Sequence, residues 1–250
     1  MSRRVRMGVL AAGLLATAAL FVTTFLDMPH FGGAWHPYGD RAVQASVNRR
    51  TANTVSAVNF DQRGFDTLGE ESILFASVLG TVVLLRQARD ERTRAPRPGP
   101  VPAALRRYGL VALPATLLIG LYVIAHGQLS PGGGFQGGVV VATALHLLYI
   151  AVDYPALERI RPLGLYEVGD AVGEAAYVLL GVAGLLAGSA YLANVLPFGT
   201  FNTLSSGGTV PLLNAAVGLE VASAVVVLLA RFLVQALEIE GGDGGKGQAV

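Results

Sequence analysis

The sequence predicts an all-α integral membrane protein, and three observations predict it. Of 250 residues, 52% are hydrophobic and only 14% charged, with a mean hydropathy of +0.53, whereas soluble domains carry roughly 25% charged residues. Six apolar runs approach the roughly 20 residues that a helix needs to cross a hydrocarbon core about 30 Å thick. If the N-terminus is cytoplasmic, six crossings place 14 Lys and Arg residues inside and four outside, as the positive-inside rule requires.

The first run, residues 7–26, is uncharged and follows Arg3, Arg4 and Arg6. Thr24-Phe25-Leu26-Asp27 offers no small-residue cleavage site, so the run reads as a span rather than a signal peptide. Residues 67–85 carry only Glu70 and Glu71, and residues 108–125 are uncharged and stop at His126. Residues 135–152 hold His146, residues 171–193 hold Glu174, and residues 210–230 hold Glu220. The segment 86–107, with seven arginines and Pro96, Pro98, Pro100 and Pro102, is too polar to pack and reads as a solvated linker. The chain thus divides into a two-span module (1–86) with an outer loop (27–66), a linker (87–104), a four-span module (105–238) and a glycine-rich tail (239–250). The predicted product is a multi-pass protein with both termini in the cytoplasm.

Composition excludes several function classes. A net charge of +1 supplies no field to recruit nucleic acid. The absence of cysteine excludes disulfides, thiolate metal sites, iron–sulfur clusters and thiol nucleophiles. No serine, histidine and acid group together as a triad, no paired carboxylates share a cleft and no metal-ligand spacing recurs, so neither an enzyme nor a cofactor is expected.

Ionisable groups in lipid are costly, about 2.5–3.5 kcal/mol each at mid-bilayer, and mark functional candidates. Glu220 lies ten residues from either end of its run and reads as a proton- or cation-handling group. A protonated glutamic acid serving only assembly is the structural alternative. His146, with Thr143 and Tyr149 three residues to either side, gives its span a polar stripe and is a candidate proton relay or a bonded neutral histidine. Glu70 and Glu71 stand at the start of their span, where one of them can cap the helix, and an inward Glu70 would receive cations beside Asp66. Asp170 and Glu174 are expected at the start of the fifth span as a cap or an ion funnel. The run Pro131-Gly132-Gly133-Gly134-Phe135-Gln136-Gly137-Gly138 lacks the Lys and Ser/Thr of a nucleotide loop and is read as a tight structural reversal. Gly181, Gly184 and Gly188 read as a face for helix packing.

The string from Gly127 to Gly138 (GQLSPGGGFQGG), followed by Asn194-Val195-Leu196-Pro197-Phe198-Gly199, by Ser205-Ser206-Gly207-Gly208-Thr209-Val210-Pro211-Leu212-Leu213-Asn214 and by Val217-Gly218-Leu219-Glu220-Val221, resembles the MnhB/MrpB family, one of the subunit types of the Mrp-type multisubunit monovalent cation/proton antiporters. Upstream, Asp61-Gln62-Arg63-Gly64-Phe65-Asp66-Thr67-Leu68-Gly69-Glu70 resembles the C-terminal part of the large subunit of those antiporters, a segment that related membrane-bound hydrogenases carry as a separate small subunit. The resemblance implies a prokaryotic cell-membrane subunit of an assembly exchanging protons for Na+ or another monovalent cation. Its partners would be large complex-I-related subunits and small membrane subunits. It carries Asp66 and Glu70 over as an acidic pair before a span. A membrane subunit of a hydrogenase-type redox complex and a non-transporting scaffold are the alternatives.

Overall fold

A computed structural model of the chain describes residues 3–28, 32–33, 36–85, 101–151 and 163–243. Among the described residues all regular structure is helical: α1 (Arg3–Leu26), α2 (Pro37–Asn48), α3 (Thr54–Ala57) continuing into a π-helical turn (Val58–Gln62), α4 (Gly64–Leu84), α5 (Ala103–Ala125), α6 (Gly134–Ala151), α7 (Leu163–Leu186) and α8 (Val210–Asp243). Among the described residues, five helices are long and apolar enough to cross a bilayer: α1, α4, α5, α7 and α8 up to Phe232. The sixth predicted span is α6. Its 18 residues rise only about 27 Å, and its apolar stretch among the described residues is Gly134–Leu147. Most of the linker and the end of the tail lie outside the described residues.

The chain forms two compact units, residues 1–40 and 41–250. In the first, α1 buries none of its residues. In the second, α8 is the axis, with 67% of its span buried. Phe60, Tyr177, Leu213, Val217 and Val221 form one apolar cluster, and Val78, Ala224 and Val227 continue it along the helix. Successive contacts fix the directions. Val78 of α4 packs near Ala224, and Leu145 of α6 packs near Val226, so α4 and α6 run parallel to α8. α7 runs against it. A Cβ on Gly173 would come within 2.6 Å of Glu220 Cβ and 2.9 Å of the Ala216 carbonyl oxygen, so only glycine allows α7 and α8 to approach this closely.

The connection between α5 and α6 is the glycine loop. Gly132 and Gly133 take φ of 128° and 135°, and α6 begins at Gly134, so Gly134 to Gly138 form its first turn rather than the loop. Gly137 and Gly138 are buried there, while Pro131, Phe135 and Gln136 are exposed. Asn214 of α8 fastens the reversal: its Oδ1 accepts from Gly134 N at 2.9 Å and its Nδ2 donates to Ser56 Oγ at 3.0 Å. Asn53 does the same from the other side, donating to the Gly127 and Ser130 carbonyls at 2.8 Å each. The expected glycine face on α7 serves a different contact. Gly181 and Gly184 meet the chain that folds back after the helix, where Leu192 N donates to the Gly181 carbonyl at 3.1 Å.

Before α4, the Asp61 side chain is 1% exposed and pairs with Arg49. Burial pushes its carboxyl above the ordinary 3.8, against the opposing pull of the Arg49 guanidinium. The raised value means that folding favours the protonated form, so the ionised form weakens stability progressively as pH rises above 3.8. Arg49→Gln removes the compensating charge. We expect it to cost about 2 kcal/mol at neutral pH, discounted for the half-exposed arginine, and to cost much less once acid protonates Asp61. Thermal unfolding of the detergent-solubilised protein across pH measures this.

Candidate functional site

Three helices bring acidic side chains into one core. Glu71 from α4 and Glu220 from α8 are each 0% exposed, and Asp170 from α7 is 3% exposed. Glu71 and Glu220 are close enough to act on each other, and neither carboxyl finds a donor among the described residues. Glu174 of α7 is half-buried and accepts a hydrogen bond from Ser72 Oγ at 2.7 Å, the residue following Glu71. Asp170, Glu71, Glu174 and Glu220 are close enough to act on one another electrostatically. Four carboxyls in a low-dielectric core repel unless positive charge joins them. The arrangement therefore demands a proton or a cation, and a proton on one of two neighbouring carboxyls would give them a hydrogen bond along which it can pass.

The acidic groups continue as a stripe. On α7, Glu167, Asp170, Glu174 and Tyr177 recur at three- and four-residue spacing, so they share one face. At one end Tyr177 OH donates to the Gly64 carbonyl at 2.9 Å, tying α7 to the first turn of α4. At the other, Arg231 of α8 donates to Glu167 at 2.6 Å. At the loop end a cavity of about 200 Å³ opens between α3, α4, the glycine loop and α8, and Glu70, Glu71, Gln136 and Asn214 are among its lining residues. The stripe thus runs from this cavity through Glu71, Glu220, Glu174 and Asp170 to the Glu167–Arg231 pair.

The sequence-based candidates distribute unevenly over this arrangement. Glu220 sits where its depth predicted. Of the adjacent pair, Glu71 points inward, whereas Glu70 is exposed on the cavity side, the reverse of the expected inward Glu70. Neither is in the first turn, because α4 starts at Gly64. Asp66 is there instead, exposed and paired with Arg63. Asp170 and Glu174 neither cap α7 nor stand at its start, since the helix begins seven residues before Asp170. His146 is half-buried on α6 beside Leu145, which packs at Val226, more than a turn beyond Glu220. It does not line the cavity. Tyr149 side-chain placement and His30 lie outside the described residues. Glu167 and Arg231 were not singled out from sequence; the i, i+3, i+7 spacing of Glu167, Asp170 and Glu174 is the signal that finds Glu167, and Arg231 follows only from its contact with it. Among the described residues, no three His, Cys, Asp or Glu side chains converge to hold a metal ion.

Residues 104–227 match a family described as a domain related to the MnhB subunit of Na+/H+ antiporter. An uncharacterised protein of Methanocaldococcus jannaschii is 32% identical over 198 residues, 68% of this chain and 72% of the relative. Two Na+/H+ antiporter subunits are also similar, one from Alkalihalophilus pseudofirmus at 32% identity over 82 residues and one from Bacillus subtilis at 32% over 93 residues. These alignments take in 33% and 37% of this chain, and 56% and 63% of those subunits. Among solved structures, a chain of the membrane-bound sulfane sulfur reductase, an archaeal respiratory membrane complex, superposes with a TM-score of 0.69 and 27% identity, over 92% of this chain and 98% of that one. A chain of the Mrp complex from Dietzia sp. DQ12-45-1b shares the fold with a TM-score of 0.67 and 21% identity, over 100% of this chain and 27% of that one.

Proposed function

Because the chain belongs to the family of membrane proteins related to the MnhB subunit of Na+/H+ antiporters, we propose that it is a membrane subunit of such an antiporter and that its carboxyl stripe carries protons, coupled to Na+ or another monovalent cation, through the bundle core. The observation that carries this reading is the burial of Glu71 and Glu220 beside one another on separate helices, with no hydrogen-bond donor to either carboxyl among the described residues. Such a pair is costly as structure and useful as a relay. The chain performs no covalent chemistry and needs no cofactor in this reading; the cation and the proton are its cargo. Other membrane subunits are its partners, in line with the multisubunit complexes whose chains share its fold. The excess of Lys and Arg on alternate loops supports a topology with both termini in the cytoplasm of a prokaryotic cell.

A role in a redox-driven complex draws support from the nearly full-length similarity to the sulfane sulfur reductase chain, and the stripe would serve there in the same way. One experiment separates the readings. Everted vesicles containing the purified complex, with and without this subunit, are energised by an imposed proton gradient and challenged with Na+. The antiporter reading predicts exchange without any electron donor, lost when the subunit is left out and restored by adding it back. Exchange that persists without the subunit overturns the reading.

A further inference from the structure

The outward face of α4 is built unlike that of α5. On α5 the exposed side chains are large and apolar, Leu110, Val111, Leu118 and Ile119 among them, as suits a surface against acyl chains. On α4, Gly69, Glu70, Ile73, Ala76 and Ser77 are exposed and Gly80 is half-exposed, and their spacing of three and four residues sets them on one face. A Cβ added at Gly69 or at Gly80 would meet nothing within 4 Å. Glycine inside a helix costs stability relative to alanine, and packing within the described residues gives no reason for either one, in contrast to Gly173. In a bilayer, small residues mark where a second helix comes close. The Ser77 hydroxyl turns back to donate to the Ile73 carbonyl at 2.7 Å, so it leaves the face flat. Glu70 adds a charge to that face. It and Val217 of α8 both line the loop-end cavity, and Val217 is seven residues inside the span that opens at Val210, about 10 Å at 1.5 Å per residue. A carboxylate at that depth is costly against acyl chains, and among the described residues the cavity offers it no basic side chain.

We propose that the α4 face from Gly69 to Gly80 seats a transmembrane helix of another subunit, and that this helix carries a lysine or arginine opposite Glu70. The charge selects the occupant. Helix α1 cannot answer Glu70, since residues 7–26 hold no charge. A second copy of this chain, related by a two-fold axis along the bilayer normal, would bring a second Glu70 to the same face, where like charges oppose one another. Acyl chains leave the carboxylate uncompensated. A basic side chain from a different subunit neutralises it through a charge-assisted hydrogen bond, and the small residues along the face let the two backbones approach. The proposal rests on the antiporter reading only in placing the chain within a multisubunit membrane assembly.

Two measurements on the purified complex in lipid nanodiscs test this. A lipid-soluble diazirine is photolysed in the bilayer, and its insertion at Ile73, Ala76 and Ser77 is compared by mass spectrometry with insertion after the complex is dispersed in SDS. We expect the assembled complex to lose most of that insertion. Glu70→Lys should cut recovery of this subunit with the rest of the complex about tenfold or more, as like charges are brought together, and changing one intramembrane lysine or arginine of a neighbouring subunit to glutamate should restore it. Because Glu70 is exposed in the chain itself, Glu70→Lys should leave the subunit's own unfolding midpoint unchanged, which separates lost docking from a lost fold. Insertion as strong in the complex as in SDS overturns the proposal. So does full recovery of Glu70→Lys, which would assign any protection to α1 or a second copy, and so does a lost recovery that no acidic substitution in a neighbour restores. A lowered midpoint also overturns it, since Glu70 would then be bonded within its own chain. Neither measurement requires transport, so the docking face stands or falls separately from whether the stripe exchanges ions.

Discussion

Glu220→Gln eliminates cation-coupled proton exchange in a complex that still assembles. The amide matches the carboxyl in size, so the close approach of α7 at Gly173 is preserved. Glutamine cannot take up and release a proton. A positioned proton carrier contributes roughly two to four orders of magnitude to reactions that need one, so exchange in vesicles should fall by about a hundredfold or more. Stability should move the other way. Replacing a buried carboxyl among three others by a neutral group relieves the need for compensating charge, so the variant subunit should unfold at an equal or higher temperature. A drop in both exchange and stability would assign Glu220 to assembly instead. Loss of exchange with retained stability is the signature of a residue that moves charge.

The reason Glu220 was legible in the sequence and its partners were less so is physical. Depth in an uninterrupted apolar run is a one-dimensional property, and position 220 has ten apolar-run residues on either side. Which of Glu70 and Glu71 points inward is a matter of helix phase, and phase is set by packing. Gly64, Thr67, Glu71 and Val78 are the buried residues of α4, with Leu74 packed between them against the core. That alternation of three and four places Glu71, not Glu70, on the stripe facing α8. The pattern was present in the sequence, hidden because a carboxylate stood in it where an apolar residue is expected. Asp170 and Glu174 were misplaced for the same reason. Hydropathy treats acidic residues as the end of a span, whereas in the folded protein Ser72 bonds Glu174 and α7 continues past Asp170 to Leu163. The glycine loop was readable as a tight reversal. The cavity behind it was not, since it depends on contacts between residues such as Gly134 and Asn214, 80 positions apart.

Asn214→Leu should be the most damaging substitution for the fold itself. The side chain is 0% exposed and makes three hydrogen bonds: from Gly134 N at 2.9 Å, to Ser56 Oγ at 3.0 Å and to the Val210 carbonyl at 3.0 Å. Leucine keeps the branched shape, with somewhat bulkier ends, but leaves the Gly134 N–H without its acceptor and the Ser56 hydroxyl without its donor. A buried polar group stranded in this way costs about 1–3 kcal/mol, so the total should reach about 3 kcal/mol. The effect should be local in origin and wide in reach, because Asn214 joins the α3 region, the glycine loop and α8. Thermal unfolding should show a lowered midpoint, and limited proteolysis should show faster cleavage between Gly127 and Gly134. An unchanged midpoint would mean that the loop is held by its Asn53 contacts alone.

If Glu71 and Glu220 act as one proton-carrying pair, as proposed, exchange measured in complexes bearing Glu71→Gln, Glu220→Gln and both together shows it. If the two carboxyls are consecutive steps of one path, each single substitution removes nearly all exchange and the double one removes no more. Exchange that survives either substitution at close to the original rate, or losses that multiply in the double variant, would show that protons cross elsewhere in the assembly.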